Sequence, residues 1–206
     1  MTLSQNFIKS PSLVKQLLSV SSISSEDLVL EIGPGKGIIT QELLKITGKL
    51  IAVEKDRNLI NFLQTKYNSF PNFKLINQDF LSYNLPKNNY KIFSNIPFSI
   101  TADILNKILK SPNKPQELYL IIQLEAAKKY CLSPNFNNQD AVLTSPYYDV
   151  KILGDIDRSA FTPKPQVDIV FAKFTLKNKP LINDSDYSEF RDFITKEYGQ
   201  NYLSEK

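Results

Sequence analysis

Leu28-Val29-Leu30-Glu31-Ile32-Gly33-Pro34-Gly35-Lys36-Gly37 joins a compact apolar run to a glycine-rich segment, and Ile38, Ile39, Leu43 and Leu44 then follow at helical spacing. The pattern reads as strand, tight loop, helix. Strands and helices go on alternating along the chain. KLIAVE (49–54) predicts a second strand, with a helix beginning near Asp56 and marked by Leu59, Ile60 and Leu63. FKLINQD (73–79) predicts a third strand ending near Asp79, and YKIFSN a fourth ending at Asn95. A helix over 100–109 then leads to a fifth strand, ELYLIIQ (117–123). Strands alternating with helices imply crossover connections and an α/β fold with a largely parallel sheet, whose ligand sites lie at the carboxyl ends of its strands. Gly33 with its loop, Glu54, Asp79 and Asn95 all fall at such ends.

Upstream, Ser10-Pro11 offers an N-cap followed by proline at the first helical position, so a short helix through Leu13, Val14, Leu17 and Leu18 precedes the first strand. After about Pro146 the pattern changes. YDVKILGDI and VDIVFAKFTL, separated by SAFTPKPQ, read as two strands pairing antiparallel at a sheet edge. DYSEFRDFITKEY reads as a polar amphipathic helix. The expected organisation is one catalytic domain over 1–180, with 181–206 opening a truncated helical lobe.

Composition excludes several kinds of chemistry. The 206 residues contain no histidine, which removes Ser-His-Asp and Cys-His nucleophile systems, His-ligated metal sites and imidazole proton shuttles. No metal is expected. The single cysteine, Cys131, rules out an intramolecular disulfide and suits a reducing compartment. No apolar run approaches the roughly 20 residues of a membrane-spanning helix. The N-terminal MTLSQNF lacks a basic segment followed by an apolar one, so neither secretion nor a membrane partner is expected. A cytoplasmic monomer is the expectation. The net charge of +4 permits a polyanionic partner without requiring one.

The loop Gly33-Pro34-Gly35-Lys36-Gly37 argues against a dinucleotide. The G-x-G-x-x-G fingerprint counted from Gly33 requires glycine at 38, where Ile38 stands. Glu31 and the G-x-G-x-G spacing instead resemble the first motif of S-adenosylmethionine-dependent methyltransferases. Glu54, about 20 residues beyond the loop, stands where a carboxylate accepts ribose hydroxyls. Its competing reading is a surface carboxylate at a strand end. Asp79 suits an exocyclic adenine amine, or equally a helix or turn cap.

Asn95-Ile96-Pro97-Phe98 ends an apolar strand with an amide, a proline and an aromatic ring. An adenine N6 amine is a weak nucleophile because its lone pair is delocalised into the ring. A carboxamide oxygen from Asn95 and the backbone carbonyl of Ile96, each accepting one N–H, localise that pair, while Pro97 stiffens the turn. Phe98 supplies a face on which a base removed from its helix can stack. Methyl displacement needs positioning more than a general base, so the lack of histidine is no obstacle.

This tetrapeptide resembles the Asn-(Ile/Leu/Pro)-Pro-(Tyr/Phe) motif of amino-group methyltransferases. With Ser4-Gln5-Asn6-Phe7-Ile8, EIGPGKG, and Phe161-Thr162-Pro163-Lys164-Pro165-Gln166-Val167-Asp168, the chain resembles the rRNA adenine N6-methyltransferases, in particular the macrolide-resistance Erm family. The resemblance implies a Rossmann-like class I methyltransferase fold. It comprises a mostly parallel seven-stranded sheet with helices on both faces, an antiparallel edge strand and a C-terminal helical lobe. It implies S-adenosylmethionine contacts at Asn6, Ile8, Gly33, Gly35, Glu54, Asp79 and Asn95, and catalysis at Asn95, Ile96, Pro97 and Phe98. Phe161 is expected to stack with Phe98 on the target adenine; without the resemblance it reads as a hydrophobic plug. Ribosomal RNA of the large subunit (23S) is the favoured partner. A small-subunit (16S) dimethyltransferase and a non-catalytic RNA-binding relative are the alternatives. Lys128, Lys129, Lys164 and Lys173 are candidate phosphate contacts or, alternatively, solvated surface charges.

Overall fold

In the computed structural model, which describes residues 6–132 and 138–204, the chain forms a seven-stranded sheet flanked by helices and a separate two-stranded ribbon. Ser4 and Gln5 of the N-terminal motif lie outside the described residues. In chain order the elements are β1 (Phe7–Ile8), α1 (Pro11–Ser19), β2 (Leu28–Ile32), α2 (Ile38–Leu43), β3 (Lys49–Glu54), α3 (Arg57–Tyr67), β4 (Phe73–Asn77) and β5 (Lys91–Asn95). There follow α4 (Thr101–Leu109), β6 (Glu117–Gln123), α5 (Leu124–Tyr130), α6 (Gln139–Thr144), β7 (Tyr148–Ile156), β8 (Phe161–Thr162), β9 (Ile169–Leu176) and α7 (Tyr187–Ser204).

Caps fix several boundaries. Ser10 Oγ accepts from the Leu13 amide at 3.2 Å ahead of Pro11, and Asp56 Oδ1 accepts from the Asn58 amide at 2.7 Å, so each supplies an acceptor to an otherwise unmatched helix donor. β4 stops at Asn77, short of its expected end near Asp79. Asp79 Oδ1 accepts from the Leu81 amide at 2.9 Å and turns the chain into a 3₁₀ segment, Phe80–Ser82.

The sheet order is β4-β3-β2-β5-β6-β9-β7. β7 and β9 pair antiparallel, as their patterns suggest. The strand that opposes the others is β9, which is also antiparallel to β6 and so lies between β6 and the edge strand β7. The reversed direction therefore sits one place inside the edge.

Alternation along the central strands divides the core. Leu30, Ile92, Leu118, Leu120, Val170 and Phe174 face α4 and α5; Val29, Phe93, Tyr119, Ile121 and Phe171 face α1, α2 and α3. Helices thus cover both faces. At the far end, α7 docks through Tyr187, whose ring meets Tyr147 edge-on at 5.4 Å, and Thr195, whose hydroxyl accepts from Gln139 Nε2 at 3.0 Å. Among the described residues no helix is long and apolar enough to cross a membrane.

From β2 the chain builds outward to β3 and β4, then returns to place β5 on the opposite side of β2. Crossovers diverge there, leaving a crevice at the strands' carboxyl ends. The β2–β5 pairing covers only Val29↔Lys91 and Leu30↔Ile92. Beyond it Ser94 Oγ takes over, accepting from the Ile32 amide at 2.5 Å and donating to the Ile32 carbonyl at 3.1 Å. A buried hydroxyl thus satisfies backbone groups left by the splaying strands.

Candidate active site

The crevice is lined by Asn6, Phe7, Gly33, Gly35, Asn95, Ile96, Pro97 and Phe98. Three segments widely separated in sequence meet here: β1 and its approach, the loop after β2, and the turn after β5. Gly33, at φ 63°, faces open space on the side where another residue would carry a Cβ. A side chain there would project into the room a ligand needs. Gly35, at φ 57°, serves a different purpose. A Cβ on it would stand 2.7 Å from Cε1 of Phe7, so the missing side chain lets that ring lie against the loop.

Asn95 is held by the N-terminal segment. Its Nδ2 donates to the Asn6 carbonyl at 2.8 Å, which fixes the amide's orientation because a carbonyl can only accept. Oδ1 is consequently turned the other way, where it is buried and has no partner among the described residues. An unmatched buried acceptor is costly unless something arrives to satisfy it. Pro97, at φ −61°, leads into a 3₁₀ turn over Phe98–Ile100, and its carbonyl accepts from the Ile100 amide at 3.2 Å. Ile96 anchors the turn in the core at 1% exposure, while Phe98 stays partly exposed at the crevice.

Glu54 is brought to the same loop from behind. Its Oε1 accepts from the Lys55 and Asp56 amides, each at 2.9 Å, and Oε2 from the Gly35 amide at 3.2 Å. The carboxylate therefore sets the loop's position, and Oε2 retains one lone pair for a further donor. Asp79 Oδ2 accepts from Lys55 Nζ at 2.7 Å. That contact, aided by the Leu81 amide, holds its carboxyl below the usual carboxylate range. Asp79 is occupied as a turn cap, the second of the two roles its sequence position allowed, and as an ion-pair partner.

Glu31 lies beneath the loop at 1% exposure. Thr40 Oγ1 donates to its Oε2 at 2.7 Å, Oε1 has no partner among the described residues, and burial pushes the carboxyl up to about 8. It carries its proton at neutral pH.

Phe161 is not brought to the crevice. It is 1% exposed, pairs with Ile8 across the β1–β8 ribbon, and belongs to the core cluster containing Val14 and Phe93. The expected stacking face is sealed, and the ring acts as the hydrophobic plug. Ile8 is likewise 5% exposed, although it borders an adjoining cleft with Phe7, Lys36 and Asn95. Two of the candidate RNA lysines are neutralised. Lys173 pairs with Glu117 at 2.6 Å and Lys128 with Glu125 at 2.9 Å. Sequence reasoning missed Ser94 and the position of Phe7. The serine sits inside an apolar run, and Phe7 offered only its place beside Asn6 as a signal. Among the described residues no group of three or more His, Cys, Asp or Glu is placed to hold a metal ion.

A family model described as ribosomal RNA adenine dimethylase matches residues 1–205. The chain belongs to this family. An rRNA adenine N-6-methyltransferase of Bacillus licheniformis is 30% identical, over 91% of this chain and 65% of its own length. The chain thus spans somewhat less than two thirds of that relative. A ribosomal RNA small subunit methyltransferase A of Mycoplasmopsis synoviae is 36% identical, over 94% of this chain and 75% of its own. Among solved structures, the 23S rRNA methyltransferase ErmE superposes with a TM-score of 0.82 at 25% identity, covering 92% of this chain and 78% of that one. The adenine dimethylase family assignment and this superposition establish the class I methyltransferase fold, with the expected mostly parallel seven-stranded sheet.

Proposed function

We propose that the chain transfers a methyl group from S-adenosylmethionine to the N6 amine of an adenine in ribosomal RNA. The observation that carries this reading is Asn95 Oδ1, a buried acceptor without a partner at the carboxyl end of β5, beside Pro97 and Phe98. Few ligands need a lone carboxamide oxygen next to an aromatic face. An adenine with its exocyclic amine is one.

The residues divide the work. Gly33 leaves room for the donor, and the remaining lone pair of Glu54 Oε2 suits a ribose hydroxyl. When bound, S-adenosylmethionine supplies an electrophilic methyl and its own leaving group. Asn95 Oδ1 and the Ile96 carbonyl each accept a hydrogen bond from one N6–H, drawing the nitrogen lone pair out of conjugation and toward the methyl. The bound donor would supply the methyl and depart as its neutral thioether, and the N6 proton would pass to water. Phe98 holds the base face-on, and Pro97 keeps the turn from relaxing. No general base is required, consistent with the absence of histidine. Asp79 would serve the donor's adenine only by sharing its carboxylate with Lys55.

Within this reading we favour 23S rRNA and resistance to macrolide-type antibiotics, on the strength of Asn95-Ile96-Pro97-Phe98 and the likeness to ErmE. The Mycoplasmopsis relative's name favours a second reading, methylation of the small subunit. We place the catalytic domain at 1–180 and the opening of a helical lobe at 181–206, in a monomeric cytoplasmic enzyme. The deciding experiment incubates the chain with tritiated S-adenosylmethionine and separately purified, unmethylated large- and small-subunit rRNA, then identifies the labelled nucleoside. N6-methylated adenosine in the large subunit supports the favoured reading, and label in the small subunit replaces it with the second. Donor binding without label in either RNA defeats both.

A further inference from the structure

Cations near the crevice are treated unequally. Lys55, just past the carboxyl end of β3, is paired with Asp79 at 2.7 Å. Lys36, in the middle of the glycine loop, is exposed and has no carboxylate within ion-pair distance among the described residues. Its ammonium lies over the ring of Phe7 instead, 5.3 Å from the centroid.

That placement is built. The Tyr67 hydroxyl donates to the Gly37 carbonyl at 2.8 Å, and the Gly35 amide is held by Glu54, so the backbone on both sides of Lys36 is anchored. Phe7 in turn forms a wall common to two adjoining clefts. One contains Asn95 and Phe98; the other is bordered by Ile8, Lys36, Ile38 and again Asn95. A lysine rooted in a fixed loop and resting on a ring, rather than collapsed onto a carboxylate, keeps its charge available. An aromatic face holds a cation more weakly than an anion does, so an arriving phosphate outcompetes it.

We propose that Lys36 grips a phosphate of the strand whose adenine enters the crevice, and so positions that nucleotide's backbone relative to Asn95. The inference rests on the RNA-methylating reading above. A base drawn out of its helix brings its own flanking phosphates to the crevice mouth, where a compact, rotatable ammonium meets them without demanding one orientation. The competing anion is the carboxylate of the methyl donor, and the test separates the two.

Binding of a fluorescently labelled, adenine-containing RNA stem-loop is titrated by polarisation over a range of KCl concentrations, for the wild type, Lys36→Ala and Lys36→Arg. S-adenosylhomocysteine binding is measured in parallel by calorimetry. Loss of one single-strand phosphate contact lowers the slope of log affinity against log salt by about 0.7, which is about fivefold weaker binding near 0.1 M salt. The expected result is that loss for Lys36→Ala, its restoration by Lys36→Arg, and unchanged S-adenosylhomocysteine affinity in both. An unchanged slope overturns the proposal, as does a loss confined to S-adenosylhomocysteine, which assigns Lys36 to the donor carboxylate. Wild type that does not bind the stem-loop overturns it too. Wild type that binds but transfers no methyl defeats the catalytic reading alone and leaves the slope comparison to decide the role of Lys36.

Discussion

Asn95 Nδ2 donates to the backbone carbonyl of Asn6 at 2.8 Å, joining the end of β5 to a segment 89 residues earlier. This bond aims Oδ1 away from Asn6, and in the proposed reaction the substrate's amine satisfies it. Asn95→Ala removes both the strap and the acceptor. Methyl transfer is expected to fall by at least about a hundredfold, the scale of removing one preorganised partner of a reacting group. Unfolding free energy in urea should change by only about 1–2 kcal/mol, since a buried orphan disappears with the bond. Normal turnover by this variant removes the clamp from the mechanism.

Gly35 and Phe7 are coupled by contact. Gly35→Ala must place a Cβ at φ 57° and 2.7 Å from the ring of Phe7. The backbone conformation costs about 1–2 kcal/mol on its own, and the clash pushes Phe7 out of its seat. S-adenosylhomocysteine affinity, measured by calorimetry, is expected to drop. In Phe7→Ala the ring is gone, so adding Gly35→Ala should cost only the backbone strain. Additive losses in this double-mutant cycle would show that the two residues act separately.

Glu31 makes stability depend on pH. Its folded pKa, about 8, lies above the ordinary value of 4.5 because burial disfavours the anion, an effect that Thr40's hydrogen bond only partly offsets. Between those values the folded chain keeps a proton that the unfolded chain has released. Stability therefore falls as pH rises from about 4.5 to about 8, by on the order of a few kcal/mol in all. Glu31→Gln cannot titrate. Its melting temperature should lose that component of the pH dependence and overtake the wild type at the alkaline end. Parallel pH profiles for the two proteins would show that Glu31 is not buried as a neutral acid.

Much of this arrangement was legible because central parallel strands are buried on both faces and read as unbroken apolar runs. Leu28–Ile32, Lys49–Glu54 and Glu117–Gln123 begin and end where their sequences suggest. Gly33, Gly35 and Asn95–Phe98 converge because the strands carrying them are neighbours across the switch point. The β1–β8 ribbon was not legible, since two residues on each side carry no periodicity. Nor was Ser94. Its hydroxyl acquires a role only because β2 and β5 part company beyond Ile92, a property of the sheet's twist and pairing rather than of the local sequence. Asp79 reads alike as ligand or cap, and the cap becomes visible only in the Leu81 amide that its Oδ1 accepts from.

Phe98 and Phe161 are both followed or preceded by features of a binding site, yet the structure gives them opposite environments. Phe161 is sealed against Ile8 and the inner core, whereas Phe98 borders the crevice and is partly exposed. Phe161→Ala is expected to cost about 3–5 kcal/mol of stability through the cavity it leaves. Any loss of transfer should then track the fraction unfolded, and activity per folded molecule at low temperature should remain near normal. Phe98→Ala should behave in the opposite way, with unfolding free energy within about 1 kcal/mol of wild type and a transfer rate reduced through lost stacking. Denaturant titration and single-turnover kinetics on both variants test the assignment. If Phe161→Ala keeps its stability but loses transfer, the ring leaves the core to meet the base, and the plug assignment fails.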